Sequence, residues 1–131
     1  MLTKGRFIAL IADSFLDTTV QLQKFREAGW IEEQDILGCE DELDRRTAAR
    51  IIHMFMRRVL EIRDMEDITP AYQLRDLFDC RVCAGHIAEV YMRGIIPAVE
   101  LNGMKIFDVF RTVSEEEAAA MIAALRKIHQ S

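Results

Sequence analysis

The sequence predicts a mainly α fold with one small β-hairpin, and three observations carry that prediction. Apolar residues recur at helical spacing along most of the chain. The two prolines and six glycines mark helix ends and turns, and none of them forms a flexible linker. A single Asn-Gly dipeptide stands between two short apolar runs. With 131 residues, 50% of them hydrophobic and 30% charged, the chain has enough apolar side chains for one core. One domain over residues 1–131 is therefore expected.

The first helix spans about residues 3–16, with Thr3 as N-cap and Phe7, Leu10, Ile11 and Phe15 along one face. Its basic start and apolar stretch are not read as an export signal, because Asp13 interrupts the run and no small-residue cleavage site follows. Asp17, Thr18 and Thr19 break it. A second helix over 19–28 carries Val20, Leu22 and Phe25, stops at Gly29, and hands Trp30 and Ile31 to a loop. Asp44 caps the longest helix, which runs to about residue 60 with Ala48, Ile52, Phe55, Met56 and Val59 on its apolar face.

Thr69 and Pro70 open a short helix over 70–78, and another begins near Asp79 and ends at Gly94. In the latter, Cys80, Cys83, Ile87, Val90 and Tyr91 form the expected buried stripe. Residues 98–101 and 104–107 flank Asn102-Gly103, which suits a type I′ turn, and Val99, Leu101, Met104 and Ile106 are expected to cover the end of the helical core. Ser114 and Glu117 form a capping box for the last helix, whose inner face holds Ala118, Met121, Ile122, Leu125 and Ile128.

Seventeen Lys and Arg against 22 Asp and Glu give a net charge of −5, with no basic stripe, which argues against nucleic acid and anionic membranes as partners. No apolar run reaches the roughly 20 residues that cross a bilayer, so a soluble chain is expected. The three cysteines do not make a disulfide framework, since Cys80 and Cys83 are too close to staple distant segments. A reducing cytoplasm is the expected compartment if the chain is complete, and the cell surface if it is a fragment of an exported protein.

The motif that invites chemistry is Cys80-Arg81-Val82-Cys83 with His86 a turn later, since thiolates and imidazole are zinc ligands. It supplies three of the four ligands of a structural site; the fourth would be Cys39 or His53, brought in by folding. On an ideal helix both cysteines fall in the apolar stripe with His86 at its edge, which favours core cysteines over metal, and no metal or other cofactor is expected. A thiol-redox reading lacks the strand and βαβ context upstream. No nucleophile elbow, phosphate loop or His-Glu-x-x-His pair occurs, so an enzyme is not expected. The acidic runs at 40–42 and 115–117 read as solvated helix ends, and neither His53 nor His129 is given a catalytic role.

Internal repetition is more informative. Phe25-Arg26-Glu27-Ala28-Gly29-Trp30-Ile31 leads through a loop into Leu43-Asp44-Arg45-Arg46-Thr47-Ala48-Ala49, and Val90-Tyr91-Met92-Arg93-Gly94-Ile95-Ile96 leads through another into Val113-Ser114-Glu115-Glu116-Glu117-Ala118-Ala119. Each unit reads helix, Gly, two apolar residues, loop, capped helix. This layout, with Asp67-Ile68 as the entry of the second unit and Leu2-Thr3-Lys4-Gly5-Arg6-Phe7 as a degenerate helix start, resembles the surface-layer homology (SLH) family.

The resemblance implies SLH-like helical repeats at about 19–60 and 67–129 after an N-terminal helix at 3–16. It also implies a central core of the three helices that begin near Thr3, Asp44 and Ser114. Many SLH modules bind cell-wall polysaccharide through the arginine of a Thr-Arg-Ala-Glu-like motif. That position is Lys4, Arg45 and Glu115 here; Arg45 matches, Lys4 keeps the charge, and Glu115 reverses it. The resulting expectation is a non-catalytic binding module for a wall glycan or a protein partner, with Arg45 and Lys4 as ligand-binding residues. The alternative is a small zinc or thiol-redox protein built on Cys80, Cys83 and His86.

Overall fold

The computed structural model describes residues 1–130. Its first helix, α1 (Lys4–Phe15), starts where the sequence places it, and the Thr3 hydroxyl accepts from the Arg6 N–H at 3.1 Å. α2 (Leu22–Glu27) is shorter than the 19–28 span expected: Thr19 lies outside it and Val20 is exposed, leaving Phe25 as its buried residue. The turn that follows buries Trp30 and Ile31, with Trp30 packed at 4.8 Å from the Phe25 ring and edge-on at 4.7 Å to Phe55. A helix that periodicity did not reveal, α3 (Glu33–Leu37), comes next. It is too short to show a stripe.

α4 (Arg45–Arg58) is capped by Asp44, which accepts from the Thr47 N–H at 2.9 Å, and it buries Ala48, Ile52, Phe55 and Met56 as expected. The region at 70–78 departs from the expected helix. It forms two short 3-10 turns, Thr69–Gln73 and Leu77–Asp79, with Leu74 extended between them. Asp76 explains the break: its carboxylate accepts from the backbone N–H groups of Phe107, Asp108 and Val109 at 2.7, 2.7 and 3.2 Å. Arg75 N–H donates to the Lys105 carbonyl at 3.0 Å, so long-range bonds to the hairpin region replace helical ones.

The next helix, α5 (Ala84–Met92), begins five residues later than Asp79. Cys80 is extended, Arg81–Cys83 is a 3-10 turn, and the two cysteines are joined by a disulfide. They are half-buried at the margin of the core, which corrects the expectation of a buried helical cysteine stripe. β1 (Val99–Leu101) and β2 (Met104–Ile106) pair antiparallel. Asn102 and Gly103 both have positive φ, 51° and 78°, as a type I′ turn requires. The hairpin does not cover the core, however: Leu101 and Met104 are exposed, and Val99 and Ile106 only half-buried. α6 (Glu115–Gln130) opens with the capping box, Ser114 and Glu117 exchanging bonds at 3.1 Å, and buries Ala118, Met121, Ile122 and Leu125. No described helix is long and apolar enough to cross a membrane.

The two sequence units meet their surroundings in the same register. The residues just before the three caps, Leu2, Leu43 and Val113, are all buried, and they are strung together by Leu43 N–H to Leu2 O at 2.9 Å and Val113 N–H to Leu43 O at 3.0 Å. The first N–H groups of a helix have no partner inside it. In α1, Lys4 and Gly5 donate to Asp41 and Cys39, three and five residues before the Asp44 cap; in α4, Arg45 and Arg46 donate to Arg111 and Val109, three and five before Ser114. Single bridges, Thr3 with Glu42 and Asp44 with Thr112, repeat at the same offset. Gly29 and Gly94, both at positive φ, end the helices that precede the apolar pairs Trp30-Ile31 and Ile95-Ile96, and all four apolar residues are buried.

Candidate functional site

The two basic positions singled out from sequence have different fates. Arg45 points into the protein and is 2% exposed. Its Nε donates to the Phe107 carbonyl at 2.7 Å, Nη2 donates to the Pro97 carbonyl, and Nη1 lies 3.8 Å from Glu117. The guanidinium also sits over the Phe107 ring, 4.8 Å from its centroid. The side chain thus holds the segments flanking the hairpin against α6, and its donors are used internally.

Lys4 instead lines an open cavity of about 360 Å3, together with Glu32, Gln34, Arg46, Thr47, Arg50, Cys80, Val82, Cys83 and His86. Its Nζ approaches the Gln34 carbonyl at 3.5 Å and Asp35 at 3.7 Å. Asp35, on α3, is fully buried and receives both arms of the Arg50 guanidinium at 2.8 and 2.7 Å and the Glu32 N–H at 2.8 Å. Burial raises the pKa of this carboxyl, but the Arg50 hydrogen bond, the Glu32 N–H and the charges of Arg50 and Lys4 outweigh it and hold the carboxyl below its ordinary range. Arg46 stands at the same cavity, 3.2 Å from Asp44 and over the exposed Phe110 ring.

The Cys80–Cys83 disulfide and His86 belong to the lining of the same cavity. The fold brings His53 of α4 to His86 of α5, Nδ1 to Nδ1 at 2.8 Å, and Asp64 accepts from His53 Nε2 at 2.7 Å. Asp64 is ionised at neutral pH: slight burial raises its pKa, but the His53 hydrogen bond and neighbouring positive charge lower it further. Between the two rings one Nδ1 donates and the other accepts, and the tautomer and protonation of each ring decide which. Burial, followed by the neighbouring His53 and Arg50, lowers the His86 pKa to about 4, so its ring is neutral at physiological pH. The second ring nitrogen of His86 is Nε2. No described residue bonds to it, and no buried polar atom among them lacks a partner, so Nε2 opens to solvent.

A second cluster, of His53, Asp64 and Glu89, sets three donor atoms within 4.8 Å of one another. Both Glu89 oxygens are engaged there, one with the Met65 N–H at 2.9 Å and the other with Arg93 at 3.0 Å. The remaining candidates are dispersed. Cys39 is a free thiol packed on Gly5 at the start of α1, and His129 is exposed, with its ring 6.0 Å from Phe15. Sequence reading gave no role to Asp35, Arg50, Asp64 or Asp76. Each is a charged residue whose partner lies across the fold, and spacing along one helix holds no signal for that.

No protein-family model matches the chain, and no curated protein or solved structure is significantly similar to it.

Proposed function

We propose that the chain is a non-catalytic binding module with a divergent SLH-like fold. The observation that carries this reading is the repeated docking of helix starts: the same offsets of three and five residues connect α1 to the loop before α4, and α4 to the loop before α6. A scaffold of such units leaves clefts between them, and the cavity beside Lys4 is one. An acidic wall glycan fits it, since Lys4, Arg46 and Arg50 lie along its lining and Glu32 is the one carboxylate there.

In this reading Lys4 keeps its place as a ligand-binding residue and Arg46 takes the part expected of Arg45, whose side chain is committed to Phe107, Pro97 and Glu117. Arg46 and Lys4 keep their charged ends at the cavity without being required for the core. Sedimentation with purified bacterial cell walls tests this. Retention of the parent chain that falls in the double variant Lys4→Ala, Arg46→Ala and weakens with added salt is the expected result. Absence of retention for the parent removes the glycan, and equal retention of the two proteins removes these residues as its site.

A further inference from the structure

Independently of that reading, we propose that Cys80 and Cys83 form a thiol–disulfide exchange centre whose partners are small thiols and disulfides. The oxidised pair takes two electrons from such thiols, and the reduced pair returns them to a small disulfide.

Three observations lead here. The first is where the bond lies. It spans only Arg81 and Val82, and both cysteines are half-buried at the margin of the core. A bridge over so few residues joins no distant elements, and a disulfide restrains the unfolded chain less as the loop it closes shortens. Stapling the fold therefore does not account for it.

The second observation is access. Both cysteines belong to the lining of the open cavity of about 360 Å3, a volume in the range of small-molecule sites, and Val82 between them is exposed. The missing βαβ unit sets this chain apart from thioredoxin-like folds, but exchange needs only a reachable sulfur and a stabilised leaving thiolate.

The third observation is the charge around that thiolate. Cys83 is the N-cap residue of α5, the end of a helix at which the dipole favours an anion. The turn Arg81–Cys83 packs against α4, whose Arg46 and Arg50 line the cavity together with Lys4. Asp35 and Asp44, which pair with these three bases, are not part of that lining. Glu32, itself 3.1 Å from Arg50, is the one carboxylate within it.

The electrons balance with a small thiol as reductant. Its thiolate attacks one sulfur of the pair, the S–S bond breaks, and the electron pair stays on the other cysteine sulfur. A second molecule of the thiol, having lost its proton, attacks the thiol-derived sulfur of the mixed disulfide and releases the remaining cysteine thiolate. The protein has then gained two electrons and the two protons that the thiols lost, and the thiols leave joined as a disulfide. The reduced pair passes the same two electrons to a small disulfide by the reverse steps.

Timed treatment of the oxidised full chain with 2-mercaptoethanol, followed by alkylation and mass spectrometry, tests the proposal. At equal thiolate concentration the Cys80–Cys83 bond should open about threefold or more faster in the folded protein than in the same chain unfolded in urea, because the fold stabilises the leaving thiolate. Slower opening in the folded protein overturns the proposal. The reduced protein should keep the circular dichroism of the oxidised one; loss of that signal would make the bond a structural staple and overturn the proposal as well. Reduced protein mixed with 2-hydroxyethyl disulfide should recover the Cys80–Cys83 bond, whereas Cys80→Ser should stop at a mixed disulfide on Cys83. A parent chain that also stops at the mixed disulfide overturns the exchange role.

Discussion

Arg45 and Phe107 are joined twice: the Arg45 Nε donates to the Phe107 carbonyl at 2.7 Å, and the same guanidinium lies over the Phe107 ring. Phe107 is fully buried, so this bond is made away from solvent. Truncating Arg45 would strand the carbonyl of buried Phe107 and leave that of Pro97, at a part-buried position, without its donor, at a cost of about 1–3 kcal/mol for an acceptor left fully unsatisfied and less for one that water can reach. Arg45→Ala should therefore lower unfolding stability by about 2–4 kcal/mol. Arg45→Lys should recover little of it, because an ammonium lacks the planar fork. Urea unfolding checks both, and a loss below about 0.5 kcal/mol in Arg45→Ala would contradict the anchoring role.

Asp35 and Arg50 give a prediction with a sign. The folded-state pKa of Asp35 lies below its ordinary 3.8, so the pair contributes stability that is fully present above the unfolded value and is lost as pH falls through the folded one. The parent should lose this increment only below about pH 4. Arg50→Met leaves a fully buried carboxylate without its bidentate partner and should cost about 3–5 kcal/mol at neutral pH. In that variant burial becomes the dominant influence on Asp35, and the acid-side loss should disappear. Equal pH slopes for the two proteins in unfolding experiments between about pH 2 and 6, an interval of roughly two units either side of an ordinary carboxyl pKa, would refute the assignment.

The core provides the test of packing. Ile52 and Phe55 are completely buried on α4, and Ile122 keeps 8% of its surface exposed on α6. Truncation of each to alanine should cost on the order of 2–5 kcal/mol, with Ile122 at the low end. Changes near 0.5 kcal/mol at all three would mean that a different set of faces is buried.

At the hairpin, Gly103 has φ of 78° and Asn102 of 51°. Gly103→Val forces a β-branched residue into this region and should cost about 1–3 kcal/mol, whereas Asn102→Gly should be nearly neutral. Because Leu101 and Met104 are exposed, the loss should be confined to backbone strain, with no core penalty added. Equal melting midpoints for Gly103→Val and the parent would exclude the turn.

The elements legible in the sequence were those set by local chemistry. Thr3, Asp44 and Ser114 cap helices because a side-chain oxygen meets an N–H three residues on, and both partners lie within one turn. The apolar stripes of α1, α4 and α6 and the Asn102-Gly103 turn were readable for the same reason: helical periodicity and φ preference are properties of neighbours in the chain. The repeated Gly-apolar-apolar signature marked Trp30, Ile31, Ile95 and Ile96 as equivalent, and all four are buried.

Tertiary structure decided the charged and reactive groups. Asp76 turned an expected helix into two short turns by capping backbone at Phe107, Asp108 and Val109, some thirty residues away. Arg45, which the sequence pointed toward a ligand, was drawn inward by the carbonyls of Pro97 and Phe107. His53, two residues from an ordinary apolar face position, became the partner of His86 and Asp64 when α4 packed against α5. A polar side chain takes its role from whichever donor or acceptor the fold places within about 3 Å of it, and that distance is set by the packing of separate segments.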